Sequence, residues 1–207
     1  MKTHVYVDAF NLYFGAVKRT PYKWLDLGKF CNILLPKHQI ESIKYFTAIV
    51  DPRPNDPGQP DRQRTYLRAL RTLPNLEIVF GHFLTHRVMM PLATPPVYGS
   101  GFVEVLKTEE KGSDVNLATH LLHDAYLKRF ECAVIVSGDS DLLTPVAIVI
   151  DELRLPVGVI NPQKNPCRVL ERKATFYKQV RRSAVKRSQF PNTMRDSSGT
   201  FSKPSDW

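Results

Sequence analysis

Hydrophobic residues follow two periods along this chain, and the alternation between the two outlines a fold. Short, nearly continuous apolar runs predict strands, and they cover residues 4–10, 40–50, 76–83, 132–136 and 157–160. Apolar residues at helical spacing predict helices over residues 12–17, 25–35, 61–73 and 114–128. Strands that alternate with helices favour right-handed βαβ units. We therefore expect an α/β fold with a central, mainly parallel sheet covered by helices on both faces.

Proline and glycine mark the breaks between these elements. Four prolines fall within residues 51–60, which predicts a loop, and residues 90–101 predict a second irregular insertion. Ser113 precedes the longest helical pattern and is expected to cap its N terminus. Thr144 and Pro145 are typical of a helix start, although that helix can begin one turn earlier.

The positive charge of the chain is concentrated near one end. The formal net charge is +9, and seven basic residues with no acid among them lie within residues 172–187, which leaves only +2 for the rest. We interpret residues 1–180 as one domain and residues 181–207 as a tail, with a basic helix through residue 187 and disorder from Ser188 onward. Such a tail is either a phosphate-binding arm or a solvated helix face.

The sequence predicts a cytoplasmic protein that does not enter the membrane. Met1 leads almost directly into an apolar run that is interrupted by Asp8, unlike a secretory signal. No run approaches the roughly 20 uncharged apolar residues that a membrane span needs. The three cysteines, Cys31, Cys132 and Cys167, form no metal-binding pattern. We interpret them as free thiols, which favours a reducing compartment.

Four aspartates stand where a parallel sheet of this kind carries its site. Asp8 ends the first predicted strand, Asp139 and Asp141 follow the most apolar one, and Asp114 opens a helix. Ligands of such sheets gather at the carboxyl ends of the strands. Carboxylates brought together there repel one another unless a cation neutralises them, and Mg²⁺ or Mn²⁺ prefers oxygen ligands. Each aspartate alone is more typical of a cap or a turn; the four together favour a metal site.

Three blocks of the sequence resemble the signature blocks of the NYN domain, the LabA-like branch of the PIN-like nuclease superfamily. They run from Val5 to Tyr13, from Lys111 to Ala118 and from Val136 to Pro145. Residues 62–70 also resemble the helix that the family carries between its second and third strands. The resemblance spans about residues 4–180. It implies a three-layer αβα PIN-like fold and a Mg²⁺- or Mn²⁺-dependent ribonuclease.

The resemblance also implies roles for individual residues. It implies one set of acidic metal ligands that also serve in catalysis, Asp8, Asp114, Asp139 and Asp141. Asn11 would orient a ligating carboxylate or the scissile phosphate, and Ser137 would hydrogen-bond a carboxylate. Lys111 would meet the phosphate, or else is an ordinary exposed lysine. Glu109 and Glu110 lie close enough to add a ligand, but a solvated loop is the stronger interpretation.

Basic residues near the predicted sheet edge and in the tail favour a phosphodiester substrate. The candidates for RNA contact besides Lys111 are Arg53, Arg62, Arg64, Arg68, Arg181 and Arg182. Aromatic residues in or near predicted loops offer stacking surfaces for unpaired bases, namely Tyr13, Phe14, Tyr22, Trp24 and Phe102. Most aromatic residues nevertheless belong to cores. The expected partner is single-stranded RNA, chosen over DNA on the resemblance alone, and a homodimer stays open.

Two other functions stay open. A non-catalytic regulator that binds RNA or protein would keep the same fold and the same acids. A phosphatase of the haloacid dehalogenase type also places an acid after the first strand. That chemistry requires an Asp-x-Asp pair, whereas Asp8 is followed by Ala9 and Phe10. The sequence favours the nuclease.

Overall fold

Ten strands form one large sheet and two hairpins. The computed structural model describes residues 1–207. The strands are β1 (Lys2–Asp8), β2 (Gln39–Thr47), β3 (Leu76–Phe80), β4 (His82–Pro91), β5 (Phe102–Lys111), β6 (Cys132–Val136), β7 (Val157–Asn161), β8 (Phe176–Gln179), β9 (Thr193–Asp196) and β10 (Gly199–Ser202). Six of them make a wholly parallel sheet in the order β3-β2-β1-β6-β7-β8. The predicted central parallel sheet is confirmed.

Helices connect the parallel strands. They are α1 (Ala9–Leu12), α2 (Leu27–Leu34), α3 (Gln59–Leu70), α4 (Ser113–Tyr126), α5 (Leu143–Ala147), α6 (Arg168–Lys173) and α7 (Arg182–Arg187). A turn of π-helix over Tyr13–Val17 continues α1, and another over Ile148–Glu152 continues α5. Each helix is too short or too polar to cross a bilayer.

The central strand β1 shows how side-chain alternation builds two cores. Val5 and Val7 point to one face of the sheet, where they join a buried cluster with Phe30 of α2. Tyr6 points to the opposite face and joins a second cluster with Leu121 of α4. Residues on both sides are fully buried, as expected for a parallel strand that is covered on both faces. The three-layer αβα arrangement expected from the sequence is therefore present.

Residues 172–187 do not form the single basic helix that the sequence predicts. α6 ends at Lys173, and β8 follows as a sixth strand that pairs with β7 at the edge of the sheet. Gly158 of β7 permits this pairing, because a Cβ atom there would lie 2.1 Å from the ring of Phe176. The prediction failed because exposed basic residues are tolerated equally well at the end of α6, on the edge strand β8 and on α7, so that the run of positive charge does not reveal the strand between the two helices.

Residues 188–207 are ordered, contrary to the prediction of a disordered tail. β9 and β10 pair as an antiparallel hairpin, and Phe201 packs beside Trp24 with ring centroids 6.4 Å apart. Arg68 ties the hairpin to α3, since its guanidinium donates two hydrogen bonds of 2.7 Å to Asp196 and lies 4.2 Å from the Phe201 ring centroid. The order of this segment depends on contacts that are distant in sequence.

β4 and β5 form a long antiparallel ribbon that is separate from the main sheet. The predicted third strand, residues 76–83, divides at Gly81 into β3 and the start of β4. Within the predicted irregular insertion, only residues 92–101 lie outside the strands. Most side chains of the ribbon are exposed on both faces, so no buried face imposes a clear alternation on its sequence.

One helix begins at another residue than predicted, and a second begins at the earlier of the two starts that the sequence left open. Gly112, with φ of 97°, is the N-cap of α4, while Ser113 is its first residue and its buried hydroxyl has no hydrogen-bond partner. The helix after β6 begins one turn before Thr144, with a 3₁₀ turn over Ser140–Leu142 that follows Asp139. In both places the backbone path places an aspartate in the first turn or just before it.

The carboxylate of Asp124 ties α4 to the first two strands. It is fully buried and accepts hydrogen bonds from Lys44 Nζ at 2.6 Å, from the Tyr6 hydroxyl at 2.8 Å and from Arg129 at 3.0 Å. Burial by itself would raise the pKa of Asp124, but the hydrogen bonds from Lys44 and Tyr6 outweigh it and hold the pKa at about 2. The ionised carboxylate therefore stabilises the folded state.

We predict that Asp124→Asn lowers the free energy of unfolding at pH 7 by about 3 kcal/mol, because it leaves the Lys44 ammonium buried without its counter-charge. The folded pKa lies below the unfolded value of about 3.9. The stabilisation is thus present above pH 4 and is lost as the pH falls toward 2. Urea unfolding at pH 7 and at pH 2.5 measures both effects, with Asp61→Asn at an 80% exposed side chain as the control. A deficit that stays constant between the two pH values would contradict this account.

Candidate active site

Asp8 is the centre of a hydrogen-bond network at the carboxyl ends of β1 and β6. It is the last residue of β1 and is 5% exposed. Its Oδ1 accepts a hydrogen bond from the backbone N–H of Asn11, and its Oδ2 accepts one from the Ser137 hydroxyl, each at 2.9 Å. The Ser137 oxygen also accepts the N–H of Asp139 at 3.1 Å. One carboxylate therefore links the ends of the two central strands.

The environment of Asp8 opposes its negative charge. Burial raises its pKa to about 6, and the hydrogen bonds from Asn11 and Ser137 only partly offset this. The negative charges of Asp114 and Asp139 raise the pKa further. The ionised form of Asp8 is consequently less stable in the folded protein than in water.

Three further acids lie close enough to affect the charge of Asp8 or of Asp114. Asp114 lies in the first turn of α4, and Asp139 accepts the N–H of Asp141 at 3.0 Å. Partial desolvation raises the pKa of Asp114, and the charges of Asp139, Glu110 and Asp141 add to the effect. The structure thus places the four aspartates singled out from the sequence within one electrostatic group.

The oxygen donors of this group suit a hard divalent cation in their chemistry, but they are not arranged as a complete coordination site. Carboxylate oxygens are the ligands that Mg²⁺ and Mn²⁺ prefer, and mutual repulsion is the property that a cation relieves. No group of three or more His, Cys, Asp or Glu side chains is placed to hold a metal ion as the side chains stand. Asp8 and Asp139 are both held by backbone N–H donors. Ion binding would therefore require rearrangement of the more exposed Asp114 and Asp141.

Glu110 is a member of this group that the sequence analysis underrated. Its Oε1 accepts the N–H of Ser113 at 3.1 Å and so caps the start of α4. Gly81 makes room for it, because a Cβ there would lie 2.5 Å from the same carboxylate oxygen. Lys111 turns toward Glu109, with 3.4 Å between its Nζ and the carboxylate.

Asn11 acts on the loop after β6, and its amide does not contact a carboxylate. Its Oδ1 accepts the N–H of Gly138 at 3.0 Å and a hydrogen bond from Gln163 Nε2 at 2.9 Å. Gly138 has no space for a side chain, since a Cβ would lie 2.3 Å from Asn161 Oδ1. Asn11 therefore fixes the path of the loop that carries Asp139. The amides of Asn161 and Gln163 were not recognised from the sequence.

The arginines proposed to contact RNA differ in whether they form ion pairs within the chain. Those on α3 form intramolecular ion pairs: Arg62 with Asp56, Arg64 with Asp61 and Arg68 with Asp196. Arg53 is exposed in the proline-rich loop, and Arg181 and Arg182 are exposed at the start of α7. Arg182 lies 5.8 Å from the ring centroid of Tyr22. The α3 arginines are thus paired within the chain, although the Arg64 side chain is still 63% exposed, while the other three are exposed without such a pair.

A cavity of about 490 Å³ opens beside the acids. Ala9, Phe10 and Glu110 line the part next to the acids, which we call its near end, and Arg62 and Trp207 also line the cavity. Two of the aromatic residues singled out from the sequence, Tyr13 and Phe14, also line it. Trp24, in contrast, is 1% exposed and packs in the core, so it has no surface for a base. Phe102 lies at the distant end of the ribbon.

Comparisons with known proteins agree with the fold. The family model of the NYN domain matches residues 2–180. The chain is 30% identical over 186 residues to 6-hydroxy-3-succinoylpyridine 3-monooxygenase of Pseudomonas putida, in a match that covers 78% of this chain and 60% of that protein. The crystal structure of a protein of unknown function from Vibrio parahaemolyticus superposes with a TM-score of 0.56 at 19% identity, over 87% of this chain and 93% of the other.

We predict that Asp8→Asn raises the free energy of unfolding in metal-free buffer at pH 7.5 by about 2 kcal/mol, because it removes a buried charge whose pKa is raised. A raised folded pKa means that stability falls as the pH rises from 4 through 6, so the gain should shrink at pH 4.5. Chemical unfolding in EDTA at the two pH values measures it, with the exposed Asp51→Asn as the control. A lower free energy of unfolding for Asp8→Asn than for the wild-type protein at pH 7.5 would show that the ionised Asp8 does not destabilise the fold.

Proposed function

This chain belongs to the NYN domain family of nuclease-like proteins, and we propose that it is a Mg²⁺- or Mn²⁺-dependent ribonuclease. The observation that carries the proposal is the burial of Asp8, bound by Asn11 and Ser137, beside the charges of Asp114 and Asp139. A fold gains nothing in stability from such an arrangement. A bound cation would convert the repulsion into binding energy.

Each residue of the site has a definite task in this proposal. Asp8, Asp114, Asp139 and Asp141 would hold the ion, which when bound supplies a polarised water and positive charge for a phosphate oxygen. Ser137 holds Oδ2 of Asp8 and so fixes the direction of the free lone pairs. Asn11 holds the Gly138 amide and thereby the backbone that carries Asp139. Lys111 is the nearest lysine in sequence to Asp114 and would approach the phosphate after leaving Glu109.

The proposed substrate is single-stranded RNA. The net charge of +9 favours a polyanion, and Arg53, Arg181 and Arg182 present exposed charge. α7 packs near the π-helical turn Tyr13–Val17, on the same side of the sheet as the cavity. These cations would contact the sugar-phosphate backbone on either side of the cleaved bond.

We predict that the purified protein degrades labelled single-stranded RNA with Mn²⁺ and that Asp139→Asn or Asp114→Asn lowers the initial rate at least about a hundredfold. Glu104→Gln on the exposed ribbon is the control and should retain the full rate, since its only ion pair is with the exposed Arg87. Equal degradation by all four proteins would indicate contamination. RNA binding without degradation by the wild-type protein would favour the non-catalytic regulator.

We also predict that Mn²⁺ stabilises the wild-type protein and not Asp8→Asn. A ligand at about 100 times its Kd adds about 2.7 kcal/mol to the free energy of unfolding, so the melting temperature should rise with Mn²⁺ concentration. Scanning calorimetry in EDTA and in rising Mn²⁺ measures this independently of any activity. A wild-type melting temperature that does not respond to Mn²⁺ would contradict the metal site.

The Pseudomonas relative supports a second candidate, oxygenation of a small aromatic substrate. The specific observation is the cavity lined mostly by hydrophobic side chains beside the acids. The chain spans about 60% of that relative, whose name concerns 6-hydroxy-3-succinoylpyridine. Incubation with this compound, dioxygen and a two-electron reductant, followed by mass spectrometry, tests the candidate. Consumption of the compound that depends on Asp8 would replace the nuclease proposal.

A further inference from the structure

We propose that the cavity beside the aspartates receives one unpaired nucleobase of the RNA strand, next to the bond that is cleaved. This inference rests on the proposed function and adds a base-binding subsite to it. Three properties of the cavity support the inference: the position of the cavity, the side chains of its walls and their charge.

The cavity adjoins the aspartates through residues next to them, although none of the four aspartates lines it. Ala9 and Phe10 line the cavity and directly follow Asp8 in the chain, while Glu110 lines it and also acts on Asp114. Phe10 meets Phe83 of the ribbon edge to face, with ring centroids 5.6 Å apart. A nucleotide whose phosphate lies at the carboxylates would therefore have its base within reach of this opening.

The walls of the cavity are aromatic. Tyr45 and Tyr66 meet at 82° with ring centroids 6.4 Å apart, and Trp207 lies 5.7 Å from Tyr66. Tyr13 and Val50 complete the apolar lining that the base would contact. A cavity of 490 Å³ falls within the range of pockets that take a small organic ligand. Because these aromatic rings lie at steep angles to one another, a planar base between them can stack on the face of one ring and contact the edge of another.

The charges of the walls favour a neutral ring over an anionic one. The side chains that line the cavity carry three positive charges, on Lys23, Arg53 and Arg62, and three negative charges, on Asp56, Glu110 and Asp206, so the lining has no net charge. The guanidinium of Arg62 is already paired with Asp56 and lies 3.5 Å from Asp206. The amide of Gln63 is committed to the backbone of Val50 and Ala48. At the near end, Glu110 and the aspartates repel a carboxylate. Nucleobases are neutral at pH 7, whereas an aromatic acid carries a charge into this acidic opening.

The test compares two ligands that have the same backbone charge. We would measure, in EDTA so that no cleavage occurs, the affinity for a fluorescein-labelled RNA hexamer containing all four bases and for the abasic ribose-phosphate hexamer. We expect the wild-type protein to bind the base-bearing hexamer about tenfold more tightly or better, since stacking of a base on aromatic side chains has this magnitude. Val50→Trp, which fills the cavity, should abolish most of this preference and leave the abasic affinity unchanged.

Two further variants make the result decisive. Val169→Trp on α6, at an exposed residue that does not line the cavity, is the matched control and should retain the preference. Tyr13→Ala removes a wall without adding bulk and should also reduce the preference, which covers the case in which Val50→Trp fails to fold. Equal binding of the two hexamers by the wild-type protein would overturn the inference. So would a preference that survives in both cavity variants, or cavity-dependent binding of 4-hydroxybenzoate without any base preference.

The outcomes separate this inference from the nuclease proposal. A cavity-dependent base preference in a protein that does not cleave RNA with Mn²⁺ would overturn the catalytic proposal alone. Cleavage of RNA by a protein with no base preference in EDTA would overturn the base-binding cavity alone.

Discussion

The charge of Asp8, buried at the end of the central strand, is the constraint around which the rest of the site is arranged. Two hydrogen bonds, from the Asn11 backbone and the Ser137 hydroxyl, offset part of the cost of its burial. Because Ser137 also accepts the Asp139 amide, the same contacts that tolerate the charge align two strand ends. The neighbouring acids add to the cost, so stability is given up here for the placement of charge.

The parts of the fold that the sequence predicts are those with a local cause. β1 and β6 are buried on both faces and therefore read as continuous apolar runs. Asp8 and Asp139 were found because the carboxyl ends of such strands are where a parallel sheet carries its site. α4 shows a clear apolar face, and its first turn brought Asp114 into the prediction.

The parts that the sequence does not predict depend on distant partners. β8 exists because Gly158 leaves space for Phe176, and the last hairpin is held by Arg68 and by packing on Trp24. Neither contact produces a recognisable pattern among residues that are close together in the sequence. The same holds for the cavity, whose lining comes from segments as separate as Phe10 and Trp207. The sequence also does not distinguish an unpaired guanidinium, such as that of Arg53, from one that is paired within the chain, such as that of Arg68.

The part of the cavity wall that the C-terminal residues form is held by contacts of its own. Trp207 packs on Tyr66 and Trp24, and Asp206 pairs with Arg62, while the carboxylates stand on different elements. Substitutions at Trp207 or at the residues that pack on it would change the cavity volume without displacing Asp8, Asp114, Asp139 or Asp141. The structure therefore allows the shape of the cavity to vary independently of the four aspartates.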